Sequence, residues 1–132
     1  VNSITIVLPL PPRECWQNSH THYRVRAKHI KAYRAACKTQ TTAALRCERP
    51  EWEAAKVSFL FYWNDKRRRD PLNAMAAMKA GIDGIVDAGL LIDDDKLTPD
   101  GYAADVSTND PRVHLTFTRV MLPVAKRLGG VA

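Results

Sequence analysis

Residues 55–95 read AKVSFLFYW, then NDKRRRD, then PLNAMAAMKAGIDGIVDAG, then LLIDDD. The first piece predicts a strand over 55–63. Val57, Phe59, Phe61 and Trp63 alternate with Ser58, Leu60 and Tyr62, so both faces are fairly apolar and a central place in a sheet is expected. The third piece predicts a helix over about 71–88. Asp70 suits its N-cap, Pro71 its first position, and Gly89 its end. Met75, Met78, Ile82, Ile85 and Val86 form the expected buried face, a methionine-rich stripe of core type. Between strand and helix stands Lys66-Arg67-Arg68-Arg69, and after the helix comes Asp93-Asp94-Asp95.

Working outward, residues 3–9 (SITIVLP) predict a first strand that Pro9, Pro11 and Pro12 end. Residues 13–22 are polar and irregular, with Asn18, His20 and His22. A long helix is expected over about 24–47. Its Arg24, Lys28, Lys31, Arg34 and Lys38 share one stripe of a single sign, which predicts an anion-facing surface; Val25, His29, Ala32, Tyr33 and Ala36 fall opposite. Residues 112–120 predict a last strand, with Val113, Leu115 and Phe117 inward and His114 as a structural residue. Residues 121–132 end in Gly129-Gly130 and are expected to form a flexible tail. The order of elements points to one α/β (α+β) domain over 1–120, a mixed sheet with helices packed on it. There are no internal repeats or linkers.

Composition narrows the function classes. The chain has 132 residues, 45% hydrophobic and 26% charged, which excludes a disordered chain, a collagen or a coiled-coil rod. It has no apolar run long enough to span a membrane. Its start lacks a basic segment and meets Pro9 early, so it reads as a strand rather than a signal peptide. Three cysteines, Cys15, Cys37 and Cys47, show no CxxC spacing; they are expected to be reduced thiols of a cytoplasmic protein. Twenty basic against fourteen acidic residues give a net charge of +6, unevenly spread. Residues 1–50 hold nine Lys and Arg and two acids, whereas residues 81–110 hold eight Asp and one Lys. A basic front half favours a polyanion, first of all nucleic acid.

A carboxylate at a strand end and another after a returning helix can converge. Hard divalent cations such as Mg²⁺ take oxygen ligands and keep several waters, and two or three carboxylates plus a phosphate oxygen complete such a site. Such an ion can activate water and stabilise the leaving oxygen of a phosphodiester. Asp70 and Asp94 are the candidate ligands, with Asp93 and Asp95 beside them. Lys79 is placed to face a phosphate or to pair with Asp83 one turn on.

These stretches together resemble the RusA-type Holliday junction resolvases, mostly encoded by phages and prophages. The matching residues are Leu8-Pro9-Leu10-Pro11-Pro12, Asn18 with His22-Tyr23, Arg67-Arg68-Arg69-Asp70-Pro71 with Asn73, Lys79, Asp83-Gly84, Asp87-Ala88-Gly89 and Asp93-Asp94-Asp95. They span about residues 3–120. The resemblance implies a homodimer that binds four-way DNA junctions in a bacterial host and cuts two strands symmetrically with Mg²⁺ or Mn²⁺, in recombination and repair. It maps the catalytic acids to Asp70 and Asp94 and the lysine to Lys79. Arg67, Arg68, Arg69, Lys28, Lys31, Asn18, His22 and Asn73 are then the expected DNA contacts. The chain departs from the family's D-x-D-N pattern, because Leu72 stands where the second acid is expected. Asp65, Asp93 or Asp95 could substitute. The alternative is a junction-binding protein of the same fold that has lost cleavage. A third reading, without the resemblance, is a basic protein that binds RNA or a protein partner.

Overall fold

The computed structural model describes residues 2–123. Four strands form one mixed sheet in the order β1-β4-β2-β3: β1 (Ser3–Leu8), β2 (Ala55–Trp63), β3 (Leu97–Val106) and β4 (Arg112–Arg119). The helices are α1 (Tyr23–Ala44), α2 (Pro71–Ala77) and α3 (Lys79–Asp87), with a single 3₁₀ turn at Arg13–Cys15. This is an α+β domain. No described helix is long and apolar enough to cross a membrane.

The inner face of the sheet follows from alternation. β1 and β2 both run antiparallel to β4, in registers that align Ile4, Phe117 and Val57 in one row, Ile6, Leu115 and Phe59 in the next, and Leu8, Val113 and Phe61 in the third. All of these but Ile4 are buried. The opposite face, which includes Thr5, Val7, Ser58, Leu60, Tyr62, His114 and Thr116, is half-buried or exposed. There Arg112 stacks on the Tyr62 ring, 4.0 Å from its centroid, and its Nε donates to His114. Burial and the Arg112 charge hold the His114 imidazole below its ordinary value. His114 thus accepts a hydrogen bond from Arg112 within this face of the sheet.

Against the inner face lie α1 and α3. The buried side of α1 is Tyr33, Cys37 and Thr41. Val25, Ala32 and Ala36 are exposed, so the expected apolar stripe is displaced around the helix. The Tyr33 hydroxyl donates to the Pro9 carbonyl at 2.6 Å and ties α1 to the proline-rich exit of β1. The Thr41 hydroxyl donates to the Cys37 carbonyl at 2.7 Å, so this buried polar group is satisfied. Cys15, Cys37 and Cys47 are free thiols, the first two buried. Burial raises the Cys37 thiol to about 12.

Helices α1 and α3 touch backbone to backbone. A Cβ on Gly84 would stand 2.4 Å from the Arg34 carbonyl oxygen and 2.9 Å from the Lys38 nitrogen. The pair is clamped at the surface. Arg34 donates from Nε and Nη2 to both oxygens of Asp87, at 2.7 and 2.8 Å. Those hydrogen bonds hold the Asp87 carboxyl below its ordinary 3.8. Arg34 therefore does not belong to a free anion-facing stripe; its charge is spent inside the molecule. Lys28 and Lys31 are exposed and enter no ion pair among the described residues.

Three expectations change. The helix expected over 24–47 ends at Ala44, because Arg46 and Cys47 adopt left-handed backbone with φ of 53° and 63°. The helix expected over 71–88 is two helices. The Met78 N–H bonds to the Met75 carbonyl in a tightened turn, and Met78 is fully buried there. A fourth strand, β3, pairs parallel with β2 although its residues are mostly exposed. Asp70 and Gly89 behave as expected. The Asp70 carboxylate caps α2, and Gly89, at φ +93°, ends α3 in a conformation that strains any other residue. Of the tail expected over 121–132, residues 124–132 lie outside the described residues.

Two outcomes follow from the helix pair. Gly84→Ala forces α1 and α3 apart and lowers stability by about 1–3 kcal/mol in urea unfolding, the cost of overpacking. The Arg34–Asp87 pair stabilises the fold above the ordinary carboxylate value and loses that contribution as pH falls through the lower folded value. Asp87→Asn therefore flattens the acid limb of the stability-against-pH curve.

Candidate active site

Residues 64–96 connect β2 to the parallel strand β3, and the candidate acids and lysine all lie on this connection. Its second half returns over the inner edge of the sheet and leaves a cleft of about 370 Å³. Val57 and Phe59 come from β2, Leu72, Met75 and Ala76 from α2, Lys79 and Ile82 from α3, and Asp94 from the loop before β3. Lys79 thus shares the apolar side with Leu72 and Ala76, as the helical angle predicts. Leu72 is 73% exposed, an apolar side chain displayed at the cleft.

Lys79 organises the polar end. Its ammonium donates to Asp83 Oδ1 at 2.8 Å and also to Asp94 Oδ2. The Asp83 bond is the i,i+4 pair expected from sequence; the Asp94 bond joins α3 to the acidic loop. The hydrogen bonds that the ammonium donates to Asp83 and Asp94 raise the lysine's affinity for its proton. The bond from Lys79 holds the Asp94 carboxyl below its ordinary value.

The remaining predicted acids stand elsewhere. Asp70 is not among the residues lining this cleft, and its Oδ1 accepts the Leu72 N–H at 2.9 Å. Asp93 accepts the Asp94 N–H at 2.7 Å. Asp93 and Asp95 line a separate cleft with Glu53, Ile92 and Lys96. Among the described residues no three His, Cys, Asp or Glu side chains are placed to hold one metal ion. The expected ligand set of Asp70, Asp93, Asp94 and Asp95 is therefore not brought together. Consecutive residues in an extended turn point different ways, which separates Asp94 from its two neighbours.

Whether this donor set suits a hard cation is decided by Lys79. Asp83 and Asp94 already converge on one positive charge, the ammonium. Two carboxylates facing one point, completed by phosphate oxygens, are a donor set that Mg²⁺ accepts. Asp83 is a candidate ligand outside the set expected from sequence; its i,i+4 spacing from Lys79 is the signal that marks it.

The basic residues divide by use. Arg69 is half-buried and consumed. Its guanidinium lies 4.4 Å over the Trp63 ring and donates to Asp65, Asn64 and the Arg67 carbonyl. It staples the 64–69 loop instead of facing solvent. Asp65 is held below its ordinary value by the Arg67 N–H and by Arg69. Arg67 is exposed, with its Nη2 3.9 Å from Asp65, and Arg68 is exposed with no ion pair among the described residues. His22 caps α1, its Nδ1 accepting the Arg24 N–H, and Asn73 is exposed on the first turn of α2. Asn18 lines a second, larger cleft with Arg13, Arg67 and Arg69.

Removing the lysine gives a direct check on this electrostatic arrangement. In Lys79→Met the Asp94 carboxyl moves back up toward 3.8, read by carbon NMR titration of the side-chain carboxyl. An unchanged Asp94 titration would show that the lysine does not govern it.

Comparison with protein-family models finds no match, and comparison with curated proteins finds no significant match.

Proposed function

We propose that this chain is a structure-selective endodeoxyribonuclease that acts on four-way DNA junctions as a homodimer. One observation supports the reading. Leu72, Lys79 and Asp94, the positions that the resemblance aligns with a second acid, a lysine and a last acid, line one cleft although they come from three separate segments. The net charge of +6 and the exposed Arg67, Arg68, Lys28 and Lys31 supply the backbone attraction that dominates DNA affinity.

In this reading Asp94 and Asp83 would hold a divalent cation together with DNA phosphate oxygens. Bound there, the ion would supply an activated water and neutralise charge on the phosphodiester. The work of the chain itself is positional. Val57, Phe59 and Met75 wall the cleft against water. Lys79, displaced from its two carboxylates, carries its ammonium to the phosphate and stabilises the charge that develops on it. Asp70 sets the direction of α2 through its cap and so places Leu72 and Met75 at the cleft.

A second reading has its own observation. The Lys79 ammonium fills the gap between the two carboxylates, and Leu72 adds carbon where a ligand is expected. Those features suit a protein that holds junctions without cutting them. A synthetic four-way junction with Mg²⁺ or Mn²⁺ separates the two. The nuclease reading expects paired symmetric cuts, reduced at least a hundredfold in Asp94→Asn and Lys79→Met and abolished by chelation. Binding without cuts, with cutting gained in Leu72→Asp, establishes the second reading. Absence of both binding and cutting in every variant overturns both.

A further inference from the structure

A second cleft, of about 770 Å³, lies at the other end of β2. Two indoles, Trp16 and Trp63, form part of its wall. Trp16 is half-buried, with its ring 5.9 Å from that of Trp63. Trp63 is already sandwiched, stacked on Phe61 at 4.7 Å on one side and covered by the Arg69 guanidinium. Trp16 is the indole that remains partly open to the cleft. Arg13 and Arg67 supply positive charge at its edge; Arg13 makes no ion pair among the described residues, and Arg67 is 79% exposed. Asn18 and Asn64 add amide donors and acceptors, and no Asp or Glu lines the cleft.

Two indoles in the wall, two available guanidiniums, amides and no carboxylate match the chemistry of one ligand class. We propose that this cleft takes a single unstacked nucleotide of a DNA strand, the base against Trp16 and its phosphates on Arg13 and Arg67. Bases stack on indole whatever their identity, and arginine binds phosphate in a fork. The volume falls in the range of about 300–1,000 Å³ typical of small-ligand sites. The low aromatic content of the sequence argues against stacking of single strands, but the fold gathers Trp16 and Trp63 from distant segments into one place. The inference rests in part on the proposed action on branched DNA, where the exchange point offers bases without stacking partners. From Phe59 at the first cleft to Trp63 at this one is four residues of β2, about 13 Å. That distance is roughly four base steps of one strand.

The test compares octathymidylate with an eight-unit abasic deoxyribose-phosphate chain of equal charge, on the full protein, by affinity and tryptophan emission. Octathymidylate is expected to bind about tenfold more tightly and to quench emission. Trp16→Leu should bring the difference below twofold, Trp16→Phe should keep most of it, and Arg67→Gln should weaken both chains equally. Equal affinity of the two chains for the unaltered protein, or unchanged emission, overturns the proposal. If Trp16→Leu does not fold by circular dichroism, the comparison in the unaltered protein and Trp16→Phe decides. Junction cutting measured on the same preparation keeps the two readings apart: a base preference without cutting supports this site and removes only the nuclease.

Discussion

Parallel pairing of β2 with β3 governs the rest of the molecule. Two parallel neighbours cannot be joined by a hairpin, so the chain must leave the sheet after Trp63 and return at Leu97 in the same direction. That connection is an obligatory long excursion, as is the one through α1 that joins β1 to β2, which run parallel on either side of β4. The β2–β3 connection carries the arginine cluster, the Asp70 cap, Leu72, Lys79 and Asp94. The cleft between α2, α3 and the start of β3 exists because the excursion has to come back.

The charges of the molecule sort by whether they are answered internally. Asp87 is answered by Arg34, Asp65 by Arg69, and Asp83 and Asp94 by Lys79. Within the acidic segment, Asp83, Asp87 and Asp94 are thus tied to basic residues of α1 and α3, whereas Asp93, Asp95, Asp100 and Asp105 are exposed and enter no ion pair among the described residues. The exposed cations of the front half and of the loop after β2 include Arg67, Arg68, Lys28 and Lys31. A net charge of +6 spread over a sequence says little about position. The pairing pattern decides which cations stay available to a phosphate backbone.

Elements whose two faces differ in polarity were legible. β1, β2 and β4 appear where alternation places them, and the ends of α2 and α3 follow Asp70 and Gly89. β3 was not legible. Its Thr98-Pro99-Asp100-Gly101 run is polar and mostly exposed, so its pairing comes from backbone bonds to β2 and not from a buried face. The break at Met78 was hidden as well, since neither proline nor glycine marks it and only packing sets it. In the candidate site, the Lys79–Asp83 spacing was readable; the expected convergence of Asp70 with Asp94 does not occur, and Asp94 meets Lys79 instead. The separation of Asp93 and Asp95 from Asp94 depends on turn direction. The Trp16–Trp63 contact joins segments with no shared periodicity, and no local pattern encodes it.

The two margins of the sheet differ. β1 ends it with an unbroken run of six residues that includes Ile4, Ile6, Val7 and Leu8. β3 ends it with Pro99, which has no N–H to offer, with Asp100 and Asp105, and with a register shift opposite Val57 and Ser58. A strand from another molecule approaching β3 meets a missing donor, fixed negative charge and a broken spacing. The cleft that holds Lys79 and Asp94 opens beside that margin through Leu97 and Pro99. The same residues that make β3 hard to read in the sequence therefore protect the apolar cleft next to it from sheet-to-sheet aggregation.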